Sequence, residues 1–355
     1  MNLSINTKEK SYDIYVNNHI NNHFYDHIAE INHGQKFIVC YPERLDTYVS
    51  SIISTLKANK INVKKIIIKD GEKSKNFVHI NELVETLVKM ECNKDSFLIS
   101  IGGGTTGDII GFLASIYMRG INYINIPTTL LAMVDSSVGG KTGVNIDNVK
   151  NVIGTFHQPY SIFMGINFLE TLNAKHIRSG IGEIIKYGFI DSKKLLNDLC
   201  DNYDCIIQLK DKQLIKKLII KSCKIKKKFV EKDVKDNYYR NILNFGHTFG
   251  HIIETKYQSK QITHGEAILN GIYLSVKLSY LKGYMTQKTY SSILEKFKRL
   301  NIEYTFRLNF DDLKLINADK KSTSTKIRFI LLEDIAKPII VDSIKLADLK
   351  EVVNI

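Results

Sequence analysis

Apolar and polar positions divide the chain into two halves with different rhythms. Up to about Thr171, short apolar runs alternate with stretches of helical spacing. Leu3–Ile5 and Asp13–Val16 read as short strands around a polar turn, a predicted hairpin. Lys36–Cys40 (KFIVC), Val63–Lys69 (VKKIIIK), Phe97–Ile101 (FLISI) and Tyr123–Ile126 read as strands, the last ending at Pro127. Leu45–Leu56, Val78–Met90 and Asp108–Met118 read as the helices between them. Strands alternating with helices predict a parallel sheet with helices on both faces. From Thr171 to Leu300 nearly every segment has helical length and spacing, as in Ile177–Phe189, Lys212–Glu231, Gly246–Thr255 and Gly265–Leu281. Lys326–Leu332 and Lys337–Val341 then suggest a small hairpin. The boundary falls near Thr171–Asn173, giving an α/β domain over 1–172 and a mostly α-helical domain over 173–355.

A chain of 355 residues exceeds the size at which one core keeps growing, which agrees with two domains. Fifty basic against thirty-seven acidic residues give a net charge of +13. Most lysines are scattered, and the main cluster, Lys216, Lys217, Lys221, Lys224, Lys226, Lys227 and Lys228, points several ways around a helix. No zinc-finger spacing or other nucleic-acid module accompanies it, so solvated lysine faces and an anionic small molecule fit better than nucleic acid. Five cysteines with no C-x-x-C argue against a disulfide framework and for a reducing compartment. The first sixteen residues hold no apolar signal core, and no apolar run nears the roughly 20 residues of a membrane span. The expectation is a soluble, cytoplasmic protein.

Four features carry candidate chemistry. Gly102, Gly104 and Gly107 have the G-x-G-x-x-G spacing, follow FLISI and open a helix. In that setting backbone N–H groups can approach a pyrophosphate at a helix N-terminus; a tight glycine turn that only packs helix on strand is the plainer reading. The fingerprint is unusual in sitting on a late strand, with no acidic residue ending the following strand to hold a ribose. Asp70–Lys75 (DGEKSK) follows VKKIIIK and so shares the same sheet edge; Glu72 is placed to accept from a ribose and Lys75 to neutralise a phosphate, or the segment is an ordinary turn. Thr128–Asn151 reads as a long polar loop with Asp135, Lys141 and Lys150 as its charges and Gly139 and Gly140 between them, and such loops are usually functional. His247 and His251, four apart, share a helix face. With His264 and Glu183 they offer two or three imidazoles and a carboxylate, the donor set of a catalytic zinc site.

Together these pieces resemble the 3-dehydroquinate synthase family. The resemblance runs from DGEKSK to DKK and is dense in GGGTTGD, RGINYINIPTTLLAMVDSSVGGKTGVN, KNVIGTFHQP, GEIIKYG, RNILNFGHTFGH and HGEA. It implies a Rossmann-like NAD-binding N-terminal domain, a helical C-terminal domain that binds metal and substrate, and an active site in the cleft between them. It places the metal, zinc or cobalt, on Glu183, His247 and His264, which leaves His251 facing substrate. It places NAD on Asp70, Gly71, Glu72, Lys73, Ser74 and Lys75, on Gly104, Thr105, Thr106, Gly107 and Asp108, on Thr128, Thr129, Lys141 and Lys150, and on Phe168, Leu169, Glu170 and Thr171. Substrate contacts fall on Asp135, Lys141, Asn151, Lys186, Lys226, Arg240, Asn244, His247, His251 and Lys321. Arg119 matches an arginine that reaches the partner subunit's phosphate site, which implies a homodimer.

The implied reaction turns 3-deoxy-D-arabino-heptulosonate 7-phosphate into 3-dehydroquinate and phosphate by transient oxidation, β-elimination of phosphate, re-reduction and aldol closure. Asp135 and Lys186 would organise the reacting hydroxyls, Lys141, Asn151, Asn244 and Lys321 the phosphate, and Arg240 with Lys226 the carboxylate. His251 is the candidate proton shuttle, because an unperturbed imidazole titrates near neutrality. One departure stands out: KFIVC runs into Tyr41, Pro42 and Glu43, where the family commonly has a small Asp- or Asn-containing turn for the adenosine ribose. Either adenosine recognition is altered or Glu43 substitutes. The alternatives are another sugar-phosphate cyclase with a neutral substrate, or a metal-dependent polyol dehydrogenase that releases NADH; VDSSVGGKTG argues against the latter.

Overall fold

The computed structural model describes residues 2–147, 149–257, 262–315 and 327–353. Its contacts fall into two compact units, Met1–Leu172 and Asn173–Ile355.

The first unit is built on a seven-stranded sheet. In chain order its strands are β1 (Asn2–Asn6), β2 (Ser11–Asn17), β3 (Phe37–Pro42), β4 (Val63–Ile68), β5 (Phe97–Gly102), β6 (Asn122–Pro127) and, after a separate hairpin of β7 (Lys141–Ile146) and β8 (Val149–Phe156), β9 (Ser161–Gly165). The spatial order is β1-β2-β9-β6-β5-β3-β4. Every pairing from β2 to β4 is parallel, and β1 joins antiparallel to β2. Burial follows position. Central β3 and β5 are buried at every residue, whereas edge strand β4 keeps Lys64, Lys65 and Ile67 exposed. The helices are α1 (Asn22–Glu30), α2 (Asp46–Ala58), α3 (Phe77–Lys89) and α4 (Gly104–Ile116). Ile109, Ile110 and Leu113 of α4 pack with Ile38, Leu98 and Tyr123 of the strands in one core.

Three features differ from the sequence expectation. The fourth helix starts at Gly104, not Asp108, so the glycine cluster forms its first turn. Thr128–Asn151 is not one long loop: Ala132–Ser136 forms a π-helical turn, and β7 and β8 pair antiparallel from Lys141↔Phe156 to Ile146↔Val149. Glycine, serine and asparagine content suggested a loop because β8 is exposed over its first six residues and so has no apolar alternation to read. Strand β9 and helix α1 were not anticipated. The first is only five residues long, and the second buries only Phe24 and Ile28.

The second unit is mainly helical: α5 (Ala174–Asp191), α6 (Lys193–Ile207), α7 (Lys212–Lys232), α8 (His247–Lys256), α9 (His264–Leu281) and α10 (Gln287–Arg299). The expected C-terminal hairpin is present as β10 (Ile327–Asp334) and β11 (Lys337–Ile344). Phe249, Ile253, Ala267, Leu274 and Leu278 share a core with Phe329 and Leu331 of the hairpin. Asp211 starts α7 by accepting the N–H groups of Gln213 and Leu214. The basic stretch lies on this helix: Lys221, Lys227 and Lys228 pair with Asp198, Glu231 and Asp191, and Lys226 is buried. No helix among the described residues is long and apolar enough to cross a membrane.

Candidate active site

In the second unit, three helices bring Glu183, His247 and His264 together. Glycines make this possible. A Cβ on Gly265 would lie 2.1 Å from the Ser179 carbonyl oxygen, so the start of α9 touches the backbone of α5 only because residue 265 has no side chain. Gly246 adopts φ +80° and starts α8 against α9, where a Cβ would meet the Ile272 nitrogen at 2.9 Å. Thr263 and Glu266 close a capping box at the α9 N-terminus, which fixes His264 as its first residue.

One donor atom from each of Glu183, His247 and His264 lies within 4.8 Å of the others. His247 Nε2 is 3.8 Å and His264 Nε2 3.4 Å from Glu183 Oε1. The other carboxylate oxygen, Oε2, pairs with the Lys186 ammonium one turn along α5, and both side chains are buried. Each imidazole is also turned from behind. His264 Nδ1 lies 3.1 Å from Glu254 Oε1, and His247 Nδ1 3.3 Å from the Phe245 carbonyl oxygen. Glu254 was not singled out in the sequence, although it ends the GHTFGHIIE run. Carboxylate–histidine orientation of this kind is the usual support of a metal ligand.

The electrostatics fit a cation. Burial, reinforced by the Lys186 ammonium, pushes the His247 pKa down to about 3 against the pull of Glu183, so this imidazole is neutral and available as a donor. Burial acts the same way on His264. There the hydrogen bonds and charges of Glu183 and Glu254 outweigh it and push the pKa up to about 10. A positive charge is thus favoured among the three donors, which a bound divalent metal would supply. Two imidazoles and a carboxylate suit zinc or cobalt.

Around this group, α5 packs against α7, α9 and the 3-10 turn Tyr239–Asn244. Lys226 on α7 and Arg240 on that turn are buried; Arg240 Nη1 donates to the Val234 carbonyl at 2.9 Å. Asn244 is exposed. His251, which shares the α8 face with His247 as its spacing predicts, has its ring 5.5 Å from His247 at 85° but does not belong to the donor group. Lys321 lies outside the described residues.

In the first unit, the expected cofactor residues meet at the carboxyl edge of the sheet. Read through β3, β4, β5, β6 and β9, the sheet order is second-first-third-fourth-fifth. In a doubly wound sheet of this order, ligands bind at the switch between the first and third strands, here between the ends of β3 and β5. That is where Gly102–Gly104 leads into α4. A Cβ on Gly104 would meet Ser136 Oγ at 2.9 Å, and one on Gly103 would meet Thr129 at 3.1 Å. Thr128 Oγ1 and Ser136 Oγ are buried without a hydrogen-bond partner among the described residues. A side-chain-free turn at the start of a 13-residue helix, with orphaned hydroxyls beside it, fits a dinucleotide pyrophosphate.

Side chains cross-link this edge. Glu72 accepts from Thr105 Oγ1 at 3.0 Å and from Asn145 Nδ2 at 2.8 Å, tying the 70–75 turn to α4 and β7. Lys75 is buried, pairs with Asp108 and donates to Asn151 Oδ1, which brings three expected site residues to one point. Asn151 has φ +54°, and its N–H donates to Asn145 Oδ1 at 2.8 Å. Asn145 was missed because only the fold brings it to Glu72. Asp135 lies in the π-helical turn, Lys141 and Lys150 are exposed on the hairpin, and Phe168–Thr171 end a 3-10 helix with Phe168 and Leu169 buried.

The missing ribose carboxylate also has an explanation. The sequence rule looked to the strand that follows β5 in the chain. The strand beside β5 at the switch point is β3, which comes earlier and ends at Pro42–Glu43.

Comparison with known proteins agrees with this geometry. Residues 65–179 match the family model for the 3-dehydroquinate synthase N-terminal region, and residues 180–322 that for the C-terminal region. The 3-dehydroquinate synthase of Dictyoglomus thermophilum is 40% identical over 353 residues, 98% of this chain and 96% of the relative. A 2-deoxy-scyllo-inosose synthase, solved with carbaglucose-6-phosphate, NAD+ and Co2+, superposes with a TM-score of 0.87 at 21% identity over 99% of both chains. A 2-epi-5-epi-valiolone synthase from Streptomyces hygroscopicus subsp. jinggangensis 5008, with NAD+ and Zn2+ bound, gives 0.87 at 23% identity over 98% of this chain and 97% of its own. These two structures share the fold.

Proposed function

The chain belongs to the 3-dehydroquinate synthase family, and from that premise we infer that it converts 3-deoxy-D-arabino-heptulosonate 7-phosphate to 3-dehydroquinate and phosphate. The reaction class is a carbon–oxygen lyase acting on a phosphate, a step of the shikimate route to chorismate and the aromatic amino acids. The observation that carries the reading is the Glu183–His247–His264 group with its buried Lys186 counter-ion, set in a chain so similar to a synthase.

Glu183, His247 and His264 would hold the metal, and the glycine loop with the 70–75 turn would hold NAD. When bound, NAD supplies a reversible hydride acceptor and the metal supplies positive charge beside the hydroxyl to be oxidised. The remaining work belongs to the chain. In the second unit, buried Arg240 and Lys226 are the cations for the substrate carboxylate. Lys186 and Asp135 are assigned to the hydroxyls. Lys141, Asn151, Asn244 and Lys321 are assigned to the phosphate. His251, solvent-exposed beside His247, would pass a proton to water.

Arg119 supports a homodimer. It follows the far end of α4, about 20 Å from Gly104 at 1.5 Å per residue, and is exposed with φ +65°. An arginine so far from its own glycine loop suits a second copy. Mixing Arg119→Ala with His264→Ala subunits should restore activity, since one hybrid site would then be intact; no recovery would place Arg119 on its own chain's site. The same reading takes the protein to be cytoplasmic.

The defining test is phosphate release from the heptulosonate phosphate with catalytic NAD and zinc or cobalt, before and after chelation. Release that needs both cofactors with no net NADH is expected. Net NADH from a polyol would instead identify a dehydrogenase, and turnover of a neutral sugar phosphate another cyclase.

A further inference from the structure

At the switch point three strand ends lie side by side. The register pairs Cys40 of β3 with Ser100 of β5, and Pro42 of β3 with Ile68 of β4. Two residues on from Cys40 and Ser100, Pro42 is level with Gly102. Glu43–Arg44 therefore leaves the sheet one strand spacing, about 4.8 Å, from the start of the glycine loop, with Asp70 at the next strand end. Pro42 ends its strand, and Glu43–Leu45 forms a 3-10 turn.

The carboxylates at this edge are not equivalent. Both oxygens of Glu72 are taken by Thr105 and Asn145. Asp70 pairs through Oδ2 with Arg44 Nε and accepts the Gly71 N–H through Oδ1 at 2.8 Å. Glu43 is exposed, and no hydrogen bond or ion pair among the described residues holds its carboxylate. A dinucleotide seated on the glycine loop extends its adenosine ribose over the neighbouring strand end. A carboxylate there accepts the ribose hydroxyls, and an arginine there receives a 2′-phosphate. This chain has both, in adjacent positions, with the arginine neutralised by Asp70.

We propose that the Arg44–Asp70 ion pair sets this chain's choice between NAD and NADP: Glu43 takes the adenosine ribose hydroxyls, and Asp70 withholds Arg44 from a 2′-phosphate. The proposal rests on the reading that the glycine loop binds a dinucleotide. The wild type prefers NAD because a 2′-phosphate meets the Glu43 charge and finds Arg44 already paired. Releasing Arg44 provides a charge-assisted partner for that phosphate.

The test is calorimetric titration of the whole protein with NAD and with NADP, which reads binding without turnover. The wild type should bind NAD and bind NADP at least about 10-fold more weakly. Asp70→Asn should shift the ratio of the two dissociation constants toward NADP by about 10- to 100-fold, the range of one hydrogen bond to a charged group. Adding Arg44→Ala to Asp70→Asn should cancel the shift, which separates Arg44 from Lys73, an exposed cation of the 70–75 turn. Glu43→Gln should weaken NAD several-fold. Unchanged melting temperatures would show that the exposed substitutions leave the fold intact. An unchanged ratio in Asp70→Asn, a shift that survives in the double variant, or equal wild-type affinity for both nucleotides would each overturn the proposal. A wild type that binds neither nucleotide would overturn the dinucleotide reading itself, and this proposal with it.

Discussion

At Glu183 the donors converge because helix backbones touch where side chains are missing, whereas at Gly104 the loops are held by hydrogen bonds between side chains. The first arrangement has few adjustable parts. Gly265, Gly246 and the capping box fix where α8 and α9 begin, and the imidazoles follow. The second is a mesh in which Glu72, Lys75, Asp108, Asn145 and Asn151 each hold one another. A helix-built centre should therefore fail abruptly when one part changes, and a mesh should loosen by degrees.

Several variants test that contrast. The largest effect is expected at the donors. His264→Ala or Glu183→Gln should abolish metal content and lower phosphate release by about 1000-fold or more while the fold survives, as emission spectroscopy, kinetics and circular dichroism would show. Wild-type turnover with normal metal content would remove the residue from the centre. Glu254→Gln should lower metal affinity by about 10- to 100-fold, because it orients His264 without touching the metal. Gly265→Ala forces a methyl group into the Ser179 backbone and should cost about 1–3 kcal/mol, a fall in melting temperature of roughly 2–4 °C per kcal/mol. If it melts like the wild type, the close helix contact is not what sets the centre. In the mesh, Glu72→Gln keeps one acceptor and should weaken NAD only a few-fold in the same calorimetric assay.

The smallest effect concerns acid. Burial opposes ionisation of Asp233, but the N–H groups of Tyr238, Asn237 and Arg240 outweigh it and hold its carboxyl below the usual range. A depressed folded-state pKa stabilises the fold above the unfolded value, about 3.9, and that contribution is lost as pH falls through the folded value. Asp233→Asn should flatten this part of the stability profile below about pH 4. An unchanged acid limb would show that the turn carrying Arg240 does not depend on the charge.

How much was readable from the sequence follows the same divide. Helical periodicity and strand alternation gave most elements, because amphipathic patterns are local. Glu183, His247 and His264 were candidates by residue type, but spacing alone also favoured His251; the family resemblance set it aside, and the geometry leaves it outside the donor group. Glu254 and Asn145 matter through partners ten and seventy-three residues away, and no local pattern encodes that. The carboxylate beside the glycine loop was sought on the wrong side, since chain order and spatial order diverge at the switch point.

That divergence also sets a timetable. β2 ends at Asn17 and pairs with β9, which begins at Ser161. On the ribosome the opening hairpin must wait while about 150 further residues are made, roughly 8 to 30 s at about 5–20 residues per second. Through that interval one edge of β2 is open, a natural place for a chaperone to bind and for premature pairing between nascent chains to begin.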